Sequence, residues 1–124
     1  ELHCSYDPNT RSGNDTSGKK VKGTIHWVDA ASAVPAELRL YDCLFAKSNP
    51  DDTEEGEDFT DFVSADSLVV KHALLEASLA DAPLAKPYQF MRQGYFIKDK
   101  DSGEGNLIFN RIVTMKDSWN KKQK

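Results

Sequence analysis

Residues 87–96 constrain the fold more tightly than any other stretch of this chain. In Pro87-Tyr88-Gln89-Phe90-Met91-Arg92-Gln93-Gly94-Tyr95-Phe96, the large apolar side chains Tyr88 and Phe90, and Phe96 beyond the Arg92-Gln93-Gly94 interruption, recur with the period of two that gives a strand one buried face. The residues between them differ in kind. Gln89 offers an amide donor and acceptor, and Arg92 a planar fork of donors. A Gln and an Arg at this spacing, beside a Gly that lets another backbone come close, can read a polar planar ligand such as the edge of a nucleobase. Most Gln and Arg residues on half-buried strands face water, so the chemistry alone leaves both readings open.

The rest of the chain fits the same class. At 124 residues it is one domain or part of one, able to bury roughly two thirds of its unfolded surface. Leu2–Tyr6 and Lys20–Val28 read as two strands of a long hairpin, joined by the turn-rich segment Asp7–Gly18. Asp29–Ala33 has an N-capping residue and helix formers, enough for one helical turn that Pro35 ends. Ala36–Phe45 is a strand with Leu38, Leu40 and Leu44 on one side and Glu37, Arg39 and Tyr41 on the other; Asp42 shares the inward parity and needs a partner if buried. Phe59–Phe62 predicts a turn with its aromatics inward, Ser67–Leu75 a strand, and Glu76–Ala85 a short helical turn with a connection. Tyr88–Lys98 is the central strand, Asp99–Gly105 a hairpin turn, and Leu107–Thr114 the return strand. Trp119 is expected to pack the end of the chain onto the sheet.

Charge and motif content exclude several functions. Net charge is −4, but Asp51–Asp61 alone contributes seven acids and no base, and the tail after Met115 carries four lysines against one acid. The acidic run reads as a solvated loop, since adjacent acids in a flexible segment lack fixed metal geometry, and it belongs away from any RNA surface. Gly13-Asn14-Asp15-Thr16-Ser17-Gly18-Lys19-Lys20 imitates a phosphate-binding loop. It lacks the hydroxyl after its lysine, however, and a strand rather than a helix follows. His3, His26 and His72 have no metal-ligand spacing, and Cys4 and Cys43 make no disulfide framework. No apolar run approaches the ~20 residues of a membrane span. The opening Glu1-Leu2-His3-Cys4, without an initiator Met, fits a piece of a longer protein.

Four segments carry a family resemblance: Val21-Lys22-Gly23-Thr24-Ile25-His26-Trp27-Val28, Leu38-Arg39-Leu40-Tyr41-Asp42, Tyr88 to Phe96, and Phe109-Asn110-Arg111. In this order they resemble the C-terminal half of the anticodon-binding region of glutaminyl-tRNA synthetases, over about His3 to Trp119. The resemblance implies an all-β fold, an antiparallel β-barrel of the kind also found in a 5S-rRNA-binding ribosomal protein. The barrel is incomplete because upstream strands are missing, and a long N-terminal hairpin precedes it. Residues 1–28 would form a ribbon reaching toward the catalytic domain, 36–119 the barrel strands, 46–58 the acidic loop and 120–124 a disordered tail. The ribbon would either report anticodon binding to the active site or only fix domain spacing.

By motif position, Gln89 and Arg92 fall where the family contacts the central uracil of the anticodon, a base with two carbonyl acceptors and one N–H. The implied parent enzyme is a class I ligase that charges tRNA(Gln) with glutamine using ATP and Mg; this chain would hold neither a catalytic site nor a metal or cofactor. Its expected partners are the tRNA(Gln) anticodon loop and the upstream catalytic domain of the same chain, in the cytoplasm and without a membrane. The alternatives are a glutamyl-tRNA synthetase of the archaeal and eukaryotic type, a stand-alone rRNA-binding barrel, and a protein-interaction β-domain. The net charge weighs against the rRNA binder.

Overall fold

A computed structural model describes residues 3–11, 13–23 and 25–115. Among the described residues, seven strands form two sheets. The short hairpin is β1 (Thr10–Arg11) and β2 (Asn14–Asp15). The main sheet contains β3 (Val34–Tyr41), β4 (Leu68–Leu75), β5 (Pro87–Phe90), β6 (Gly94–Lys98) and β7 (Leu107–Val113), in the order β4-β3-β7-β6-β5. The sheet does not close on itself: β4 and β5 are its two edges. This is an all-β fold with an open, incomplete barrel, as expected.

One pairing differs from the antiparallel expectation. β3 pairs β4 antiparallel from Val34↔Leu75 to Tyr41↔Leu68, but it pairs β7 in parallel, Ala36↔Leu107 to Arg39↔Asn110. The cause is the connection over 76–86, which passes from one edge of the sheet to the other. The meander β5-β6-β7 then brings β7 back beside β3 in the same direction. Alternation of apolar residues carries no strand direction, so the sequence could not signal it.

The core forms where the expected parity places it. Ala36 and Leu38 of β3, Leu75 of β4, Phe96 of β6 and Phe109 of β7 are buried in one cluster. Phe90 stacks on Phe96 at 4.4 Å between ring centroids, and Tyr88 meets Phe109 edge-on at 6.4 Å. Phe96 and Phe109 are fully buried, so truncating either to Ala should cost about 3–5 kcal/mol. Leu44 lies beyond the end of β3 and is exposed, and Asp42 is also exposed, so it needs no buried partner. Pro35 sits inside β3 opposite Leu74 instead of ending a helix, and Asp29–Ala33 is a hydrogen-bonded turn capped by the Asp29 carboxylate. Phe59–Phe62 and Ala77–Leu79 are single 3-10 turns, the first held by a reciprocal capping box between Asp58 and Asp61. Of its two aromatics, Phe59 does not go inward as expected but is exposed against the edge of Phe45, while Phe62 is half-buried beneath Lys47 Nζ. The acidic residues 51–58 are all exposed.

The N-terminal ribbon is a correction. Its ladder consists of Thr10↔Asp15 and Arg11↔Asn14, inside the segment expected to be the loop. The expected arms, Leu2–Tyr6 and Lys20–Val28, form no ladder among the described residues. Tyr6, Val21, Ile25 and Trp27 are all more than two thirds exposed, so these arms bury no apolar face of their own. A two-stranded ribbon without a face to bury is marginal in water. One ion pair, Lys19 Nζ to Asp7 Oδ2 at 2.5 Å, closes the base of the short hairpin. Trp119 and the 120–124 tail lie outside the described residues.

Candidate nucleic-acid interface

The stretch 87–98 is a hairpin of two strands, not one central strand. β5 and β6 pair from Pro87↔Ile97 to Phe90↔Gly94, and Met91-Arg92-Gln93 make the turn, closed by the Gln93 N–H donating to the Phe90 carbonyl at 2.8 Å. Two backbone conformations bend the chain here. Arg92 has φ 64, the one non-glycine residue with positive φ among those described, and Gly94 has φ 145. A left-handed backbone costs an ordinary L-residue about 1–2 kcal/mol. A side chain at Gly94 is excluded twice over, because a Cβ there would lie 2.6 Å from the Val113 carbonyl oxygen as well as in a region L-residues avoid. The close backbone approach anticipated at this glycine is therefore to β7.

Gln89 sits on β5 with its side chain exposed, and Nε2 lies 3.7 Å from Met115 Sδ. Arg92 is exposed in the turn at the end of the hairpin. The structure thus brings the two predicted residues onto one short hairpin, with Gln89 on a strand and Arg92 in the turn beyond it. Directly across from Gln89 is Tyr95, which is 40% exposed. Sequence parity misses this pairing, because it needs the Arg92 turn to fold β6 back onto β5.

The hairpin also borders a cavity of about 840 Å³ over the sheet, which Gln89, Met91 and Gln93 line at its turn end. It is lined by Leu38, Leu40, Tyr88 and Phe96, with Lys71, Lys86 and Arg111 at its polar positions. Lys86 Nζ stands 5.4 Å from the Tyr88 ring centroid, and Arg111 Nη2 donates to the Tyr41 carbonyl at 3.0 Å, which fixes the end of β7 to the end of β3.

A polar cluster on the other side of β3 and β7 holds the 99–105 turn. Asp99, nearly buried, accepts from the Asp101 N–H at 2.8 Å, from Asn110 Nδ2, and from Arg39 Nη1 at 3.3 Å. Arg39 Nε also donates to Glu37 Oε1 at 2.8 Å. The Asp101 N–H, the Asn110 amide and the Arg39 charge hold the Asp99 carboxyl below its ordinary range, outweighing the cost of burial. Among the described residues, no group of three or more His, Cys, Asp or Glu is placed to hold a metal ion, and no helix is long and apolar enough to cross a membrane.

Glutamine–tRNA ligases match almost the whole chain: that of Rhodopirellula baltica is 48% identical over 98% of it, that of Ectopseudomonas mendocina 53% over 96%, and that of Vibrio parahaemolyticus 50% over 97%. The chain spans about a fifth of the length of these relatives, 20%, 22% and 21% in turn. Residues 24–99 match the family described as class I tRNA synthetases (E and Q), anti-codon binding domain. With more than half of its residues in that match, the chain belongs to the anticodon-binding domain family of the class I tRNA synthetases.

Proposed function

We propose that this chain is the C-terminal part of the anticodon-binding region of a class I glutamine–tRNA ligase, and that Gln89 and Arg92 read the central base of the tRNA(Gln) anticodon. The observation that carries the reading is the identity of about half of all residues with glutamine–tRNA ligases along nearly the entire chain. The family model covers glutamate and glutamine enzymes alike, so a glutamyl enzyme is the second reading; charging of tRNA(Gln) rather than tRNA(Glu) separates them. In the proposed enzyme, which works in the cytoplasm, the upstream part of the same chain carries the catalytic domain and uses ATP and Mg to activate glutamine. The present chain contributes recognition only.

The local chemistry supports the assignment. Uracil presents two carbonyl acceptors and one N–H: an Arg fork donates to the carbonyls, and a Gln amide both donates and accepts. Arg92 occupies a strained backbone conformation at the tip of the hairpin, and such strain concentrates where a side chain must be held in place for binding. The experiment is aminoacylation by the full-length enzyme of native tRNA(Gln) and of a version with the central anticodon base swapped. Arg92→Ala is expected to lower the preference for the native tRNA by the worth of one base contact, about 1–3 kcal/mol or roughly 5- to 150-fold. Gln89→Glu removes a donor and adds negative charge next to RNA, and should lower it as well. Equal charging of the two tRNAs by the unmodified enzyme would remove the reading altogether.

A further inference from the structure

Tyr95 stands apart from the other aromatic residues of the hairpin. Tyr88, Phe90 and Phe96 point into the core cluster, and Phe96 is 1% exposed. Tyr95 points to the other face, where it is 40% exposed. Its cross-strand partners are Gln89 on β5 and Val113 on β7. Directly opposed residues share a face, with Cβ atoms about 4.5–5.5 Å apart. Val113 is 53% exposed and Met115, whose sulfur contacts the Gln89 amide, is 45% exposed. The outer face of the hairpin is thus a small apolar floor with one aromatic ring, edged by the Gln89 amide, with Arg92 in the adjoining turn.

We propose that Tyr95 is the stacking platform for the same nucleobase whose edge Gln89 and Arg92 read, a proposal that rests on the anticodon-reading function above. An unstacked base leaves two faces and one edge to be satisfied. Polar side chains on strands can meet the edge, but only an aromatic or guanidinium plane replaces the lost stacking. Gln89 meets the edge and Tyr95, its direct neighbour across the ladder, supplies the plane. The occupant is therefore a single flipped-out nucleotide; a peptide segment would leave the donors of Gln89 and Arg92 without a planar acceptor edge.

The test uses the full-length enzyme and tRNA(Gln) carrying either uridine or 5,6-dihydrouridine at the central anticodon position. Dihydrouridine keeps the carbonyl and N–H edge but loses the aromatic plane. The unmodified enzyme should bind the dihydrouridine tRNA about tenfold more weakly, the lower part of the range for stacking on one base. Tyr95→Phe, which keeps the ring, should show the same ratio, and Tyr95→Leu, which lacks it, should show a ratio near one. A ratio near one for the unmodified enzyme overturns the proposal without reference to any variant, as does an undiminished ratio for Tyr95→Leu. Loss of preference between the native and the base-swapped tRNA in the unmodified enzyme would remove the anticodon reading itself, whereas preference retained with a dihydrouridine ratio of one removes Tyr95 alone.

Discussion

At the scale of single residues, Asp99 shows how this domain spends a buried charge. Its carboxylate accepts from the Asp101 N–H, the Asn110 amide and the Arg39 guanidinium, so the charged form is favoured despite burial. A carboxyl with its folded pKa below the unfolded value of about 3.9 stabilises the fold above that value and loses the stabilisation as pH falls through the folded value. Asp99→Asn leaves shape and size almost unchanged but places an amide against two donors. It should destabilise the domain at neutral pH by about 1–3 kcal/mol, the usual cost of a buried donor left unmatched. The gap to the unmodified protein should narrow below about pH 3.9. Urea midpoints at pH 7 and pH 3 measure it, and a gap that does not change with pH would show that the Asp99 charge plays no part. None of this is legible in sequence. Arg39 and Asp99 lie far apart along the chain, and a long-range charge pair leaves no local pattern. Gln89 is legible, because strand parity alone places it on the face opposite Tyr88 and Phe90.

At the scale of elements, the β5–β6 hairpin depends on one glycine. Gly94 combines φ 145 with a carbonyl oxygen of β7 where its Cβ would be, so a methyl group there strains the backbone and pushes against Val113 at once. Gly94→Ala should loosen the hairpin by about 1–3 kcal/mol and tilt Arg92 and Gln89 away from the base they are proposed to read. Hydrogen exchange of the β5 and β6 amides in the full-length enzyme would report it as lost protection confined to this hairpin, together with weaker discrimination at the central anticodon base. Unchanged protection would mean that β7 yields to the methyl group at no cost. The glycine and the interruption around it are visible in the sequence, and they mark where the alternation of Tyr88 and Phe90 breaks before Phe96 resumes it. What alternation cannot say is that the break reverses the chain, since an Arg in the left-handed region has no propensity signature. The N-terminal arms fail in the opposite sense. Val21, Ile25 and Trp27 have strand propensity, yet β-propensity measures fit to a half-buried pleated surface, and all three remain more than two thirds exposed.

At the scale of the whole molecule, an open sheet governs behaviour. Among the described residues, β3 and β7 are paired on both sides, while β4 and β5 each leave one row of backbone donors and acceptors without a neighbouring strand. Pro87 at the start of β5 lacks a donor, and Lys71 and His72 lie exposed on β4, so both edges carry some protection against casual pairing. The protection is partial, because Val70 and Leu74 on β4 are also about half exposed and the cavity over the sheet presents Leu38, Leu40 and Tyr88 to whatever fills it. The relatives that match this chain are about five times its length, and under the proposed function strands from the rest of such a ligase would cover these surfaces. A polypeptide of this sequence alone should therefore self-associate through β4 or β5, with an average mass in sedimentation velocity that rises between micromolar and hundred-micromolar concentration. Replacing Leu74, which faces outward on the β4 edge, with Lys should reduce that rise by setting charge against charge across any edge-to-edge pairing. A strictly monomeric chain over the whole range would mean that the edges are covered within the chain itself, and the barrel would then owe nothing to strands from elsewhere.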